Sequence, residues 1–188
     1  MNKQKKQLLL LILVLVLALI AFVLVSKMPD EEEIEETVSF TVTDLDTEAV
    51  NKLTFTNGTG TYTLTKAEDI WSYEGDKTLD MDEDAVQSMI DKVASITSEN
   101  CIEKVEDLSL YGLDEPEITI LVSDGTTSYT LFIGDYNDMT YTQYLCLEND
   151  METVYTTTSY NISAFKNGID DLIVVEEETE TATTEVQE

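Results

Sequence analysis

The chain has 188 residues, with ten lysines, no arginine, no histidine and 39 aspartates and glutamates, giving a formal net charge of −29. Without histidine there is no Ser–His–Asp or Cys–His constellation and no base titrating near neutrality, and without arginine there is no bidentate clamp for phosphate or carboxylate. The missing residue types leave no catalytic residue and no cofactor to assign, and the charge repels nucleic acid and anionic headgroups, so no nucleic-acid partner is expected.

Leu8–Val25 is a run of eighteen apolar residues without a charge, glycine or proline. As a helix it spans roughly 27 Å, close to the roughly 30 Å hydrocarbon core of a bilayer. A helix is the form that satisfies its backbone in lipid. Lys3, Lys5 and Lys6 precede the run, whereas Lys27 and then Asp30, Glu31, Glu32 and Glu33 follow it. That asymmetry predicts a cytoplasmic Met1–Gln7, a transmembrane anchor at Leu8–Val25 and an extracellular remainder. A cleaved signal peptide is the rival reading. The run is longer than the usual 7–15 residues, and Val23-Leu24-Val25 suits signal peptidase poorly. The expectation is a single-pass protein of the cell membrane whose first partner is the lipid bilayer.

Ser26–Val38 reads as an acidic stalk, extended by its own like charges. Ser39–Val175 is long enough for one domain with a core of its own. Ser39–Leu45 alternates in strand fashion. Leu53–Gly58 and Thr61–Leu64 read as a hairpin about Asn57-Gly58. Sixty-seven residues on, Ile120–Gly125 and Ser128–Leu131 repeat the pattern about Asp124-Gly125. Trp71-Ser72-Tyr73 adds a strand to the first hairpin, and Tyr141–Leu147 and Thr153–Thr157 add strands to the second. Asp82–Ile96 carries Val86, Met89, Ile90, Val93 and Ile96 at helical spacing. Ser159–Asn167 reads as a shorter helix with Gly168 as its C-terminal cap. The predicted fold class is α+β, built from two duplicated hairpin, strand and helix units. Glu176–Glu188 is Glu/Thr-rich without aromatics and is predicted to be a disordered acidic tail.

Asp80-x-Asp82-x-Asp84 has the opening spacing of a calcium loop, which makes Asp80, Asp82 and Asp84 the metal candidates. Ala85 and Asp91 stand where such a loop needs glycine and glutamate. The other reading makes Asp80 or Asp82 a helix cap, with Glu83 three residues after Asp80 as in a capping box. Asp135, Asp138, Glu148, Asn149, Asp150, Asp170 and Asp171 are further loop acids and amides. Cys101 and Cys146 form either one disulfide or two free thiols in neighbouring strands. Trp71 and eight tyrosines (Tyr62, Tyr73, Tyr129, Tyr136, Tyr141, Tyr144, Tyr155 and Tyr160) offer sugar or peptide stacking as an alternative to core packing. Tyr141 and Tyr144, at odd spacing, point to opposite faces if they share a strand. Asn57-Gly58-Thr59 and Asn161-Ile162-Ser163 fit the glycosylation sequon.

Trp71-Ser72-Tyr73, Leu79-Asp80 ahead of an amphipathic helix, Leu108-Ser109-Leu110-Tyr111-Gly112-Leu113-Asp114-Glu115-Pro116, Leu131-Phe132-Ile133-Gly134-Asp135 and Val154-Tyr155 follow in a distinctive order. Over roughly Val50–Leu172 the chain resembles the bacterial domain of unknown function 4340 family. The resemblance implies an anchored, exported domain, and for some relatives an accessory place in gliding-type transporter complexes. It implies no catalytic residues. The leading functional expectation is a membrane-anchored, extracytoplasmic, non-catalytic binding or accessory module with a membrane-protein partner. An acidic surface domain binding calcium or another cation is the alternative, and a hydrolase using two carboxylates is third.

Overall fold

The structure is a computed structural model that describes residues 12–16, 18–19 and 39–174. The chain divides into two compact units, Met1–Thr37 and Val38–Glu188. In the first, Ile12–Val16 and Ala18-Leu19 are helical. The remainder of the expected anchor, the stalk and the tail lie outside the described residues. Among the described residues no helix is long and apolar enough to cross a membrane.

The second unit is α+β. Its centre is an eight-stranded antiparallel sheet in the order β4-β3-β2-β7-β8-β9-β10-β6. The strands are β2 (Lys52–Asn57), β3 (Gly60–Ala67), β4 (Ile70–Tyr73), β6 (Cys101–Ile102), β7 (Ile118–Ser123), β8 (Ser128–Asn137), β9 (Thr142–Leu147) and β10 (Asp150–Thr158). β1 (Phe40–Thr41) pairs with β5 (Thr97–Ser98) in a separate two-stranded ribbon. Helix α1 (Glu83–Val93) follows β4, and helix α2 (Ser159–Ser163) follows β10 and runs into a 3₁₀ turn at Ala164–Lys166.

The two hairpins meet at β2 and β7. Leu53 faces Val122, Thr54 faces Leu121 and Phe55 faces Ile120. The sequence repeat has an offset of sixty-seven, so Leu53 corresponds to Ile120, Thr54 to Leu121 and Phe55 to Val122. Each pairing therefore maps onto another under exchange of the halves, and the Thr54–Leu121 pair maps onto itself. The seam is a local two-fold arrangement of the two repeats.

Strand alternation sends Leu53, Phe55, Leu64, Ile118, Ile120, Val122, Leu131, Ile133 and Leu145 to one face. There they join Val86, Met89, Ile90 and Val93 of α1 and Ile162 and Phe165 of the second helical segment in a single core. Burying each such side chain contributes about 1.5–3 kcal/mol. The opposite face carries a second, smaller cluster over β8–β10 and β6. There Cys146 and Val154 pack beneath Leu113, with Phe132, Tyr111 and Tyr144 around them. Over β2 and β3 that face is threonine: Thr54 meets Thr63 at 3.2 Å and Thr56 meets Thr61 at 2.9 Å, hydroxyl to hydroxyl. Such cross-strand pairs suit a face turned to water.

The segment Leu108–Tyr111 is a 3₁₀ turn closed by Gly112 at φ 66°. A side chain at Gly112 would strike Asp135, so both the left-handed backbone and the close approach require glycine.

Several local expectations are corrected. Ser39–Leu45 is strand only at Phe40–Thr41, because the amides of Val42 and Thr43 both turn to the Ile96 carbonyl. α1 stops at Val93 rather than Ile96; Ile96 is still core, reached by the chain after the helix. Gly168 has φ −89° and is no left-handed cap. The first hairpin turns on Gly58-Thr59, with Asn57 paired to Gly60.

The β3–β4 turn had no glycine to announce it. Glu68 and Asp69 carry φ of 53° and 65°, a pair of left-handed residues as in a type I′ turn, which favours Asn-Gly. The Lys66–Asp69 ion pair there is 3.8 Å long with its Asp69 end open to solvent, and adds little. Glu68→Asn combined with Asp69→Gly is expected to raise stability by about 1–2 kcal/mol. A higher urea midpoint at unchanged m-value checks it.

Candidate functional site

The three metal candidates are put to structural use. Asp82 is the N-cap of α1, its carboxylate accepting the Ala85 amide at 3.0 Å, and Glu83 and Asp84 occupy the first turn, where the helix dipole favours acids. Asp80 forms no capping box with Glu83. The Glu83 carboxylate accepts the Trp71 amide at 2.9 Å instead, closing the outer edge of β4. The Asp80 carbonyl accepts the Val174 amide, and Met81 bridges to Ile173, so this loop is strapped to the C-terminal end of the domain. Among the described residues no three of His, Cys, Asp and Glu are grouped to hold a metal ion. Of the loop acids, Asp171 accepts from Asn167 at 2.6 Å, and Asp124 closes the β7–β8 turn by accepting the Thr126 and Thr127 amides, which holds its carboxyl below the usual range.

Both cysteines are free. They lie not in neighbouring strands but on β6 and β9, with β10 between them. Two strand spacings of about 4.8 Å put them beyond disulfide reach. Burial raises the Cys101 thiol, and Glu103 and Asp150 add to it, so this thiol is held protonated rather than activated. Cys146 is fully buried, and burial, helped by Asp150, pushes its thiol up to about 11 from an ordinary 9.0. Its folded value lies above its unfolded one. The contribution, roughly 2–3 kcal/mol, is therefore complete below pH 9 and lost as pH rises towards 11. Unfolding free energy measured across that window is expected to fall less steeply in Cys146→Ala than in the parent.

One end of the β8–β9–β10 sheet face holds an open cleft of about 260 Å³. It is lined by Asn100, Cys101 and Ile102 on one side, by Asn137 and Thr140 of the β8–β9 loop on the other, and by Tyr144 and Thr156 of β9 and β10; the Cys101 side chain itself shares the core face with its strand partner Tyr155. None of these residues is charged, in a chain where 26% of residues are. Asn137 is fixed by its surroundings: its carbonyl oxygen accepts the Met139 and Thr140 amides, and its Nδ2 donates to the Tyr144 hydroxyl at 2.8 Å. Tyr111 packs edge-on to Tyr144, with centroids 5.0 Å apart. Across the cleft, Asn100 Nδ2 donates to the Thr156 hydroxyl at 3.1 Å.

Beside the cleft the β8–β9 loop ends in exposed apolar groups. Met139 is 91% exposed, Tyr141 73%, and Tyr136 is also open to solvent. Tyr141 precedes β9 rather than sharing a strand with Tyr144, and its φ is 58°. A bulky side chain in the left-handed region is a genuine outlier. Leu110, on the 3₁₀ turn over the same strands, is 72% exposed.

Sequence reasoning named Tyr141 and Tyr144 but missed the cleft, because Asn100, Asn137 and Thr156 share no spacing. The available signal was Tyr136-Asn137-Asp138-Met139-Thr140-Tyr141, a turn carrying more apolar surface than a turn needs. The sequons are structural as well. The Asn57 amide is occupied by the Phe165 and Asn167 carbonyls, and Asn161 donates to Thr157.

No curated protein and no solved structure matches the chain. Residues 71–187 match the family described as Domain of unknown function (DUF4340). The match opens at Trp71, so the β2–β3 hairpin precedes it, and it takes in α1, the Tyr111-Gly112 turn and the β8–β9 loop. Covering well over half of the chain, it establishes that this protein belongs to the DUF4340 family.

Proposed function

We propose that this protein is a membrane-anchored, extracytoplasmic, non-catalytic binding or accessory module that docks a membrane-protein partner, a transporter complex being the candidate, through its β8–β9 loop. In this reading Leu8–Val25 is the single-pass anchor and the domain stands outside the cell. The supporting observation is Tyr141, an exposed ring on a left-handed backbone. Glycine at that position would relieve about 1–2 kcal/mol. A tyrosine that weakens the fold and packs into no core is best explained by what it touches outside. Charge points to the partner. Between Lys104 and Lys166 the chain has no basic residue, while Asp135 and Asp138 flank the exposed side chains. A partner surface combining apolar and basic groups complements it.

A photo-crosslinking residue placed at Met139 in the full-length protein in its native membrane tests this. Transporter subunits captured at Met139, and not from a control position at Lys77, support the reading. Equal capture from both positions, or none from Met139, removes it. Tyr141→Gly, made alongside, is expected to raise the melting temperature by several degrees and to reduce the crosslink.

A further inference from the structure

We infer that the uncharged cleft between the β5–β6 turn and the β8–β9 loop is a binding site for a neutral polyhydroxylated ligand, one sugar ring in size. This is independent of partner docking by the loop tip. The hydrogen bonds already made in the cleft leave a defined set of groups facing it. The Tyr144 oxygen accepts from Asn137, so its own proton is free to donate. The Thr156 oxygen accepts from Asn100, leaving its hydroxyl proton free in the same way. Asn100 keeps its Oδ1 as an acceptor, and each carboxamide uses one of its two N–H groups in these bonds. Donors and acceptors are thus interleaved within one small space, as adjacent hydroxyls of a sugar require.

The same groups argue against other ligands. No cation faces the cleft to hold a phosphate or carboxylate, and no carboxylate lines it to hold an ammonium group. Its volume of about 260 Å³ falls below the roughly 300–1,000 Å³ of sites that enclose drug-sized molecules. The walls are set before any ligand arrives. Asn137 is locked by the loop amides, and Tyr144 by Asn137 and by Tyr111, so little ordering entropy remains to oppose binding.

The full-length protein in lipid nanodiscs, free of glycoside detergent, is titrated with millimolar glucose, galactose and N-acetylglucosamine. Saturation-transfer NMR reads binding, and the side-chain amide resonances of Asn100 and Asn137 read occupancy of the cleft. The expected result is transfer to at least one sugar together with shifts of both amide resonances, all lost in Tyr144→Phe, which keeps the ring packing and gives up one hydrogen bond from Asn137, so its melting is measured alongside. Absence of transfer and of shifts with all three sugars overturns the inference. So does binding that Tyr144→Phe leaves unchanged, since it then occurs elsewhere. Shifts with acetyl-alanyl-alanine amide but with no sugar assign the cleft to peptide and also overturn it.

Discussion

Thr43→Val is expected to destabilise the domain by about 2–4 kcal/mol, a fall of roughly 10 °C in Tm. The substitution is nearly isosteric, so the loss is one of hydrogen bonding rather than of volume. Thr43 is wholly buried beneath the end of α1. Its hydroxyl donates to the Val93 carbonyl at 2.8 Å and accepts the Ile96 amide at 2.7 Å. The last carbonyls of a helix lack partners within it, and here one side chain serves such a carbonyl and the first amides of the departing chain together. Valine leaves a carbonyl and an amide buried without that partner, the costly half of the hydrogen-bond asymmetry. Thr43→Ser keeps both bonds and should recover most of the loss. Thermal and urea unfolding of the three proteins decide it, and a valine variant within 1 kcal/mol of the parent would contradict the account.

Asn57→Ala is expected to cost about 2–3 kcal/mol. The Asn57 side chain works on both sides of itself. Its Oδ1 accepts the Thr59 amide at 2.8 Å, the Thr59 hydroxyl at 2.6 Å and the Gly60 amide at 3.2 Å, which shapes the turn. Its Nδ2 donates to the Phe165 and Asn167 carbonyls, each at 2.8 Å, and so fastens the first hairpin to the end of the second half. Asn57→Asp separates the two roles. It retains the acceptor but sets a carboxylate against two carbonyls, so it should be nearly as damaging as alanine. The reverse substitution at the corresponding position of the second repeat, Asp124→Asn, should be mild. Asp124 only accepts, from the Thr126 and Thr127 amides, and an amide oxygen can do the same. Equal effects at Asn57→Asp and Asp124→Asn would show that turn shape, not the fastening, carries the stability.

The strands and α1 were legible because their information is periodic: alternation in Leu53–Asn57 and Ile118–Ser123, and helical spacing in Val86, Met89, Ile90 and Val93. The offset of sixty-seven made the repeat visible, although not that β2 and β7 would pair. Boundaries failed where a distant hydrogen bond decided them. Thr43 and Ile96 ended one strand and one helix between them, and Glu83 left its expected capping box for Trp71, twelve residues away. The Glu68-Asp69 turn was hidden because neither residue prefers the backbone it adopts. The cleft was illegible for a topological reason. Asn100 and Thr156 are fifty-six residues apart and meet only because β6 and β10 are neighbours.

The two-fold seam also fixes an order of assembly. Each hairpin joins strands separated by a short loop, whereas the partners across β2 and β7 lie roughly 63–71 residues apart along the chain. Long closures are entropically slow and come after local ones, so the hairpins form as separate units and their docking governs the refolding rate. The docking edges are also matched in kind, since Thr54 and Leu121 occupy equivalent places in the repeat. At high concentration the β2 edge of one chain can therefore meet the β7 edge of another in the native register. The seam that closes the monomer is the same one through which two chains would exchange halves.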